Sequence, residues 1–173
     1  LSQLSALSAE PDAGGAFAGI SLKDFSAAPA EFRLRLLLRV LARFGGTSPP
    51  ARLSKVEALL DRLEQTDDFT ATLGGCVVTA SGARLSIFRE PGRSALPECV
   101  LPDANPVVWD ARFSVSVSGL PARDGPIIVK ALGAPGYATL RKSAGIGMPQ
   151  KAAATLPSFW IGSTLLAVPG LAP

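Results

Sequence analysis

The spacing of apolar positions changes from helical to alternating and divides the first half of the chain into two kinds of element. From Pro29 onward Leu34, Leu37, Leu38, Leu41 and Phe44 recur at helical spacing and Gly45-Gly46 supplies a stop, so a helix is predicted over 29–44. After Thr47-Ser-Pro-Pro50, Ser54-Lys-Val-Glu57 reads as a capping box. Val56, Leu59, Leu60 and Leu63 give that second helix a buried side, and the two helices form a hairpin. The period then falls to two. Phe69 to Leu73, Cys76 to Ala80 and Arg84 to Phe88 read as strands, with a tight turn at Ser81-Gly82. Val78, Ala80, Leu85 and Ile87 mark the face of that hairpin expected against the helices. Residues 1–27, rich in Ser, Ala and Gly, show neither period and are expected to be a linker or flexible N-terminal segment.

Residues 92–106 are punctuated by proline and read as a linker, which places a domain boundary there. Beyond it, Val107 to Trp109 and Arg112 to Val117 read as strands, the latter alternating Phe113, Val115 and Val117 with Ser114 and Ser116. Pro126 to Ala131 is a further apolar strand. Tyr137 to Lys142 and Pro149 to Leu156 read as short helices, and Phe159 to Pro169 as a hairpin turning at Gly162-Ser163. The fold class is therefore α+β: a helical hairpin with a small β sheet over 28–91, then a second small α+β domain over 107–173. In the closing hairpin, Trp160 is expected to complete a core with Phe159, Ile161 and Leu165.

Composition narrows the range of functions. At 173 residues, 47% of them hydrophobic and 18% charged, the chain buries a core and is not a disordered segment. No apolar run approaches the roughly 20 residues needed to cross a bilayer. The start, Leu1-Ser-Gln-Leu4, has neither an initiator Met nor the features of a signal peptide, so the chain is expected to be cut from something longer or to have had its first residues removed. The two cysteines, Cys76 and Cys99, are expected to be reduced thiols of a cytoplasmic protein, with Cys76 a small buried hydrophobe. The net charge is only +3, but twelve of the seventeen basic residues are Arg. That bias fits bidentate phosphate contacts and equally fits a GC-rich genome.

The chain contains no His, which excludes Ser-His-Asp and Cys-His catalysis. Asp67-Asp68 reads as a pair of solvated turn acids, and Gly74-Gly75 as a turn, since it lacks the frame of a phosphate loop. The residues argue against a self-contained enzyme. Arg35, Arg39 and Arg43, at i, i+4 and i+8, form a stripe without interleaved acids on the first helix. Such a stripe is either a solvated face or a phosphate-contacting one. Arg52 and Lys55, at the start of the second helix, are open to the same two readings.

Several segments carry a resemblance in their order and spacing. They are Arg35-Leu-Leu-Leu-Arg39 to Phe44-Gly-Gly46, Pro49-Pro50-x-Arg52, Leu73-Gly-Gly-Cys76 with Arg89-Glu90-Pro91, Trp109-Asp110-x-Arg112-Phe113, and the closing Leu156-Pro157 to Pro169. Over roughly residues 28–173 the chain resembles the substrate-binding and C-terminal regions of the bacterial tRNA(Ile)-lysidine synthetases. Those ATP-dependent ligases attach lysine to the wobble cytidine of a minor isoleucine tRNA. The Ser-Gly-Gly-x-Asp-Ser loop that grips ATP in that family does not occur here. The resemblance therefore implies a tRNA-holding portion with no cofactor of its own, ATP, Mg and lysine belonging to the parent enzyme. Its implied partners are tRNA and an N-terminal nucleotide-binding domain, and no membrane is involved. Charge and expected exposure nominate Arg35, Arg39, Arg43 and Arg52 in the first domain, with Arg112, Arg141, Lys142 and Lys151 in the second, as RNA contacts. The rival expectation is a non-catalytic protein-interaction or structural module docking through Phe159 and Trp160.

Overall fold

The computed structural model describes residues 10–11, 17–66, 68–92, 95–102, 105–117, 125–141 and 148–169. The fold is α+β, and the chain divides into two compact units, Leu1–Glu90 and Pro91–Pro173.

In the first unit, strands β1 (Glu10–Pro11) and β2 (Phe17–Ser21) precede helices α1 (Leu22–Ala27), α2 (Ala30–Phe44) and α3 (Leu53–Gln65). Strands β3 (Phe69–Leu73), β4 (Cys76–Ser81) and β5 (Arg84–Arg89) complete it. The five strands form one antiparallel sheet in the order β1-β2-β5-β4-β3. Its register aligns Ala18, Ile87, Val78 and Ala71 in one row across the strands, and Ile20, Leu85, Ala80 and Phe69 in the next. These rows pack in one core with Leu37, Val40, Leu41 and Phe44 of α2 and Val56, Leu59 and Leu63 of α3.

Three sequence expectations are corrected here. The segment expected to be a linker, 1–27, contributes β2 and α1, with Ala18, Ile20, Leu22 and Phe25 buried. The apolar signal was weak because the strand is Phe-Ala-Gly-Ile-Ser, in which small residues stand at core and close-contact positions. A side chain at Gly19 would start 2.4 Å from the Arg84 guanidinium. Ser21 caps α1, its Oγ accepting from the Asp24 N–H at 3.3 Å. The capping box at Ser54 is not used: α3 begins at Leu53 with Arg52 as N-cap and without a side-chain cap. The Arg52 carbonyl accepts from Lys55 and Val56, so the helix is already under way where the box would start it. The 92–106 linker is likewise partly structural, because it supplies a strand and a buried Leu101 to the second unit.

That unit holds β6 (Cys99–Val100), β7 (Val107–Trp109), β8 (Phe113–Val115) and β9 (Ile128–Ala131), then α4 (Gly133–Arg141), α5 (Gln150–Ala153), β10 (Pro157–Ile161) and β11 (Thr164–Ala167). The order β11-β10-β9-β6 makes an antiparallel sheet, and β7-β8 is a separate two-stranded hairpin. Leu101, Trp109, Val115, Ile127, Val129 and Phe159 form its core. Arg112 precedes β8 in a turn, where the Arg112 N–H donates to the Trp109 carbonyl at 3.1 Å. Asp110 and Ala111 occupy the two central positions of that turn at φ 48° and 53°, a left-handed conformation that Ala adopts at a cost, within the three-residue loop that joins the paired Trp109 and Phe113.

Two stability outcomes follow. Phe25→Ala lowers the unfolding free energy of the chain by about 3–5 kcal/mol in a urea titration; a midpoint equal to that of the unaltered chain returns 17–27 to the role of linker. Ala111→Gly, at an exposed residue, raises stability by about 0.5–1 kcal/mol, the relief of left-handed strain less the added freedom of Gly when unfolded.

Candidate nucleic-acid interface

Helices α2 and α3 are antiparallel: Arg33 near the start of α2 pairs with Glu64 near the end of α3 at 2.8 Å. The C-terminus of α2 and the N-terminus of α3 therefore share one end of the hairpin, its tip. Arg39 and Arg43 in the last turns of α2, Arg52 at the cap of α3 and Lys55 in its first turn all belong to that tip and are exposed. The first turn of α3 holds no acid, so nothing there offsets the positive end of the helix dipole. Glu57 follows in the second turn of α3, and the remaining carboxylates of the hairpin, Glu31, Asp61 and Glu64, lie toward the other end together with Arg33, Arg35 and Arg62.

Of the predicted stripe, Arg35 stands apart. It is an exposed i, i+4 ion pair with Glu31, so the stripe does carry an acid at its start and one of its cations is already engaged. Arg43 lies 5.9 Å from the centre of the Phe44 ring. Neither Arg39 nor Arg52 has a carboxylate partner among the described residues. Arg39, Arg43, Arg52 and Lys55 are the exposed cations of the tip; Lys23, Arg62 and Arg84 are exposed elsewhere in the unit.

A contact between backbones holds this tip in place. A Cβ on Gly45 would lie 2.2 Å from the Gly74 carbonyl oxygen, and one on Gly75 would lie 2.5 Å from the Gly45 oxygen and 2.3 Å from Ser48 Oγ. Only glycines let the end of α2 meet the β3–β4 turn this closely. Arg89, buried at the end of β5, donates from Nη1 to Ser48 Oγ at 3.2 Å and to the Gly75 carbonyl at 3.0 Å. Cys76, also fully buried, sits with Sγ 3.6 Å from the Leu41 carbonyl. The α2–α3 loop that carries Ser48 is thus fastened to the sheet on one side and presents Arg43 and Arg52 on either flank. Arg89 was not among the predicted site residues. Its signal was the Arg at the end of a strand whose neighbours Leu85, Ile87 and Phe88 are all buried.

In the second unit the expectation for Arg112 is corrected. Its side chain is 1% exposed and forms an ion pair through Nε with Asp110 Oδ2 at 2.7 Å. Its Nη2 donates to the Thr155 carbonyl at 2.6 Å, and the guanidinium lies 5.6 Å from the Trp109 ring and 4.8 Å from the Phe113 ring. It binds the β7–β8 turn to the segment after α5 and has no surface to offer RNA. Trp109 is buried beside it, its Nε1 donating to the Pro97 carbonyl at 2.8 Å.

Arg141 at the end of α4 and Lys151 in α5 are exposed; Lys142 lies outside the described residues. Phe159 is buried, which removes it from the docking surface of the rival reading. Trp160 is half-buried, less enclosed than expected. Its Nε1 donates to Ser158 Oγ at 2.7 Å, the Lys130 ammonium lies 4.9 Å from its ring, and α4 approaches it at Gly136.

The result is a chain of two small α+β units with solvent-facing cations at helix ends. Among the described residues no group of three or more Cys, Asp or Glu side chains is placed to hold a metal, and no helix is long and apolar enough to cross a membrane. No protein-family model matches the chain. Individual proteins do. It is 37% identical over 100 residues to a tRNA(Ile)-lysidine synthase of Rickettsia bellii, a match covering 58% of this chain and 23% of the relative. It is 32% identical over 148 residues to that of Ruegeria pomeroyi, covering 85% of this chain and 33% of the relative. For a Bradyrhizobium tRNA(Ile)-lysidine synthase the figures are 44% over 73 residues, 39% of this chain and 20% of the relative. The chain is homologous to part of the tRNA(Ile)-lysidine synthases, spanning about a quarter of the length of the first of these relatives.

Because Asp110 and Arg112 are both buried, removing one strands the other. Arg112→Met destabilises the second unit by about 3–5 kcal/mol, read as an early transition in chemical denaturation followed by tryptophan emission; a normal transition would show the pair to be dispensable.

Proposed function

We propose that this chain is the tRNA-binding portion of an ATP-dependent tRNA(Ile)-lysidine synthetase, acting in the cytoplasm to position tRNA while a nucleotide-binding domain performs the chemistry. In this reading the chain supplies no catalytic group and no cofactor site. ATP, Mg and lysine are handled by the parent enzyme. What carries the reading is the group of exposed cations at the tip of the helical hairpin, Arg39, Arg43, Arg52 and Lys55, with Glu57 the carboxylate nearest them, whereas Glu31, Asp61 and Glu64 lie toward the other end among Arg33, Arg35 and Arg62. Homology to proteins named for a tRNA modification supports it.

The physical task suits these residues. An A-form stem presents rows of phosphates and a groove that side chains read poorly, so affinity comes from backbone neutralisation and shape. A tip anchored at Gly45, Gly75 and Arg89 holds its cations on a rigid base and limits the entropy lost on binding. Arg141 and Lys151 are the corresponding contacts proposed for the second unit. The other reading, a protein-interaction module, draws on Val100 and Val108, which are 59% and 70% exposed. It assigns no role to the cationic tip.

Reversal of one tip charge separates the two. Arg39→Glu weakens tRNA binding and lowers the slope of log K against log salt by about 1, the share of a single phosphate contact. Filter binding across a salt series measures both quantities, and circular dichroism checks that α2 remains helical. Unchanged affinity and slope remove the tip from the interface and favour the interaction module.

A further inference from the structure

Helix α4 lies against the second sheet through one narrow place. Gly136 is buried, and a Cβ there would meet Leu132 at 2.5 Å and the Trp160 ring at 3.3 Å. With Leu132 and Gly136 turned toward the sheet, the helical repeat turns Tyr137, Ala138 and Arg141 to another side. There they line a half-open cleft of about 360 Å³ whose further wall is Gln150 of α5. Tyr137 is the only tyrosine in the chain, and it is half-buried, while Arg141 and Gln150 are exposed.

We infer that this cleft holds a single unstacked nucleotide of the bound RNA, with Tyr137 against the base, Arg141 on the phosphate and Gln150 at the base edge. The inference rests on the tRNA-binding reading and names a site within it. The volume is at the lower end of ligand sites: a double helix cannot enter, whereas one base with its phosphate can. The lining has the three chemistries that single-stranded RNA requires, a π face, a planar cation and an amide that both donates and accepts. Among the described residues its lining holds no carboxylate to repel a phosphate and no large aliphatic side chain to favour an apolar group. Lys151, exposed beside Gln150, adds to the local positive charge. This division of labour differs from that of the hairpin tip, where cations occur without a stacking partner.

The test uses the full chain and two probes in parallel: intact tRNA, and a single-stranded oligoribonucleotide of about eight residues carrying 2-aminopurine, whose emission falls when it stacks. The oligonucleotide is quenched on binding the unaltered protein. Tyr137→Phe preserves quenching and affinity. Tyr137→Leu, which keeps bulk but removes the π face, abolishes the quench and weakens oligonucleotide binding by about 5- to 100-fold. Arg141→Glu weakens binding further at low salt than at high salt. Normal quenching by Tyr137→Leu overturns the cleft assignment. If that variant melts early, Arg141→Glu decides, since the residue is exposed, and normal quenching by it overturns the assignment as well. An unaltered chain that binds tRNA but does not quench the oligonucleotide also rules the cleft out, with the tRNA-binding reading intact. Failure to bind tRNA at all overturns that reading itself.

Discussion

The approach of Gly45 to Gly74 and Gly75 is the tightest constraint in the first unit. With 2.2 Å between the Gly74 oxygen and the place a Cβ on Gly45 would occupy, the end of α2 and the β3–β4 turn meet through backbone alone. Several features depend on that meeting. Phe44 and Leu41 enter the core at the last turn of α2. Ser48 comes within reach of Arg89, and the loop through Pro49-Pro50 is short enough to start α3 at Leu53. Ala51 then packs its methyl 3.1 Å from the Cβ position of Gly74. The segments that carry the family resemblance in this unit, Phe44-Gly45-Gly46, Pro49-Pro50-Ala51-Arg52, Leu73-Gly74-Gly75-Cys76 and Arg89, thus converge on a single structural junction.

The second unit solves a similar problem with charge in place of close backbone contact. Its β7–β8 turn has two non-glycine residues in the left-handed region, and the adjoining segment ends in a buried Thr155. The Asp110–Arg112 pair joins the two at 2.7 and 2.6 Å. Burying both charges is unfavourable, and it is offset by the close ion pair at Nε and the hydrogen bond that Nη2 donates to the Thr155 carbonyl. Trp109 and Phe113 flank the guanidinium and keep water from it. The Trp-Asp-x-Arg-Phe segment is therefore explained by the stability of the turn, with no ligand required.

Legibility in the sequence followed the strength of the apolar pattern. Helices α2 and α3 and strands β3, β4 and β5 stood out because Leu, Val, Ile and Phe fill their buried positions at regular spacing. Strand β2 and helix α1 did not, because the burial there is done by Ala18, Ile20, Leu22 and Phe25 among Ser, Ala, Gly and Lys. Their place is set by pairing with β5, which lies more than sixty residues later in the chain. Ser54 shows a limit of local motifs, since the backbone after Pro49-Pro50 turned helical before the box could act. Arg112 shows another. Charge and a neighbouring strand predict exposure, but only tertiary structure brings Asp110 and the Thr155 carbonyl to it.

Arginine serves three separable purposes here, and the distinction bears on function more than the net charge of +3 does. Arg89 and Arg112 are interior fasteners for carbonyl and carboxylate oxygens. Arg35 and Arg33 balance Glu31 and Glu64, and Arg62 lies 4.7 Å from the Phe69 ring. The interior and ion-paired residues raise the count of bases while adding little to the field felt by a ligand. Arg39, Arg52 and Arg141 are solvent-facing and stand on helices or at their ends, where the scaffold holds them in position. A phosphate backbone responds to fixed, accessible charge. On the proposed reading, the pull of the described residues on a polyanion rests on such positions, together with Arg43, Lys55 and Lys151, and a tally of basic residues overstates it.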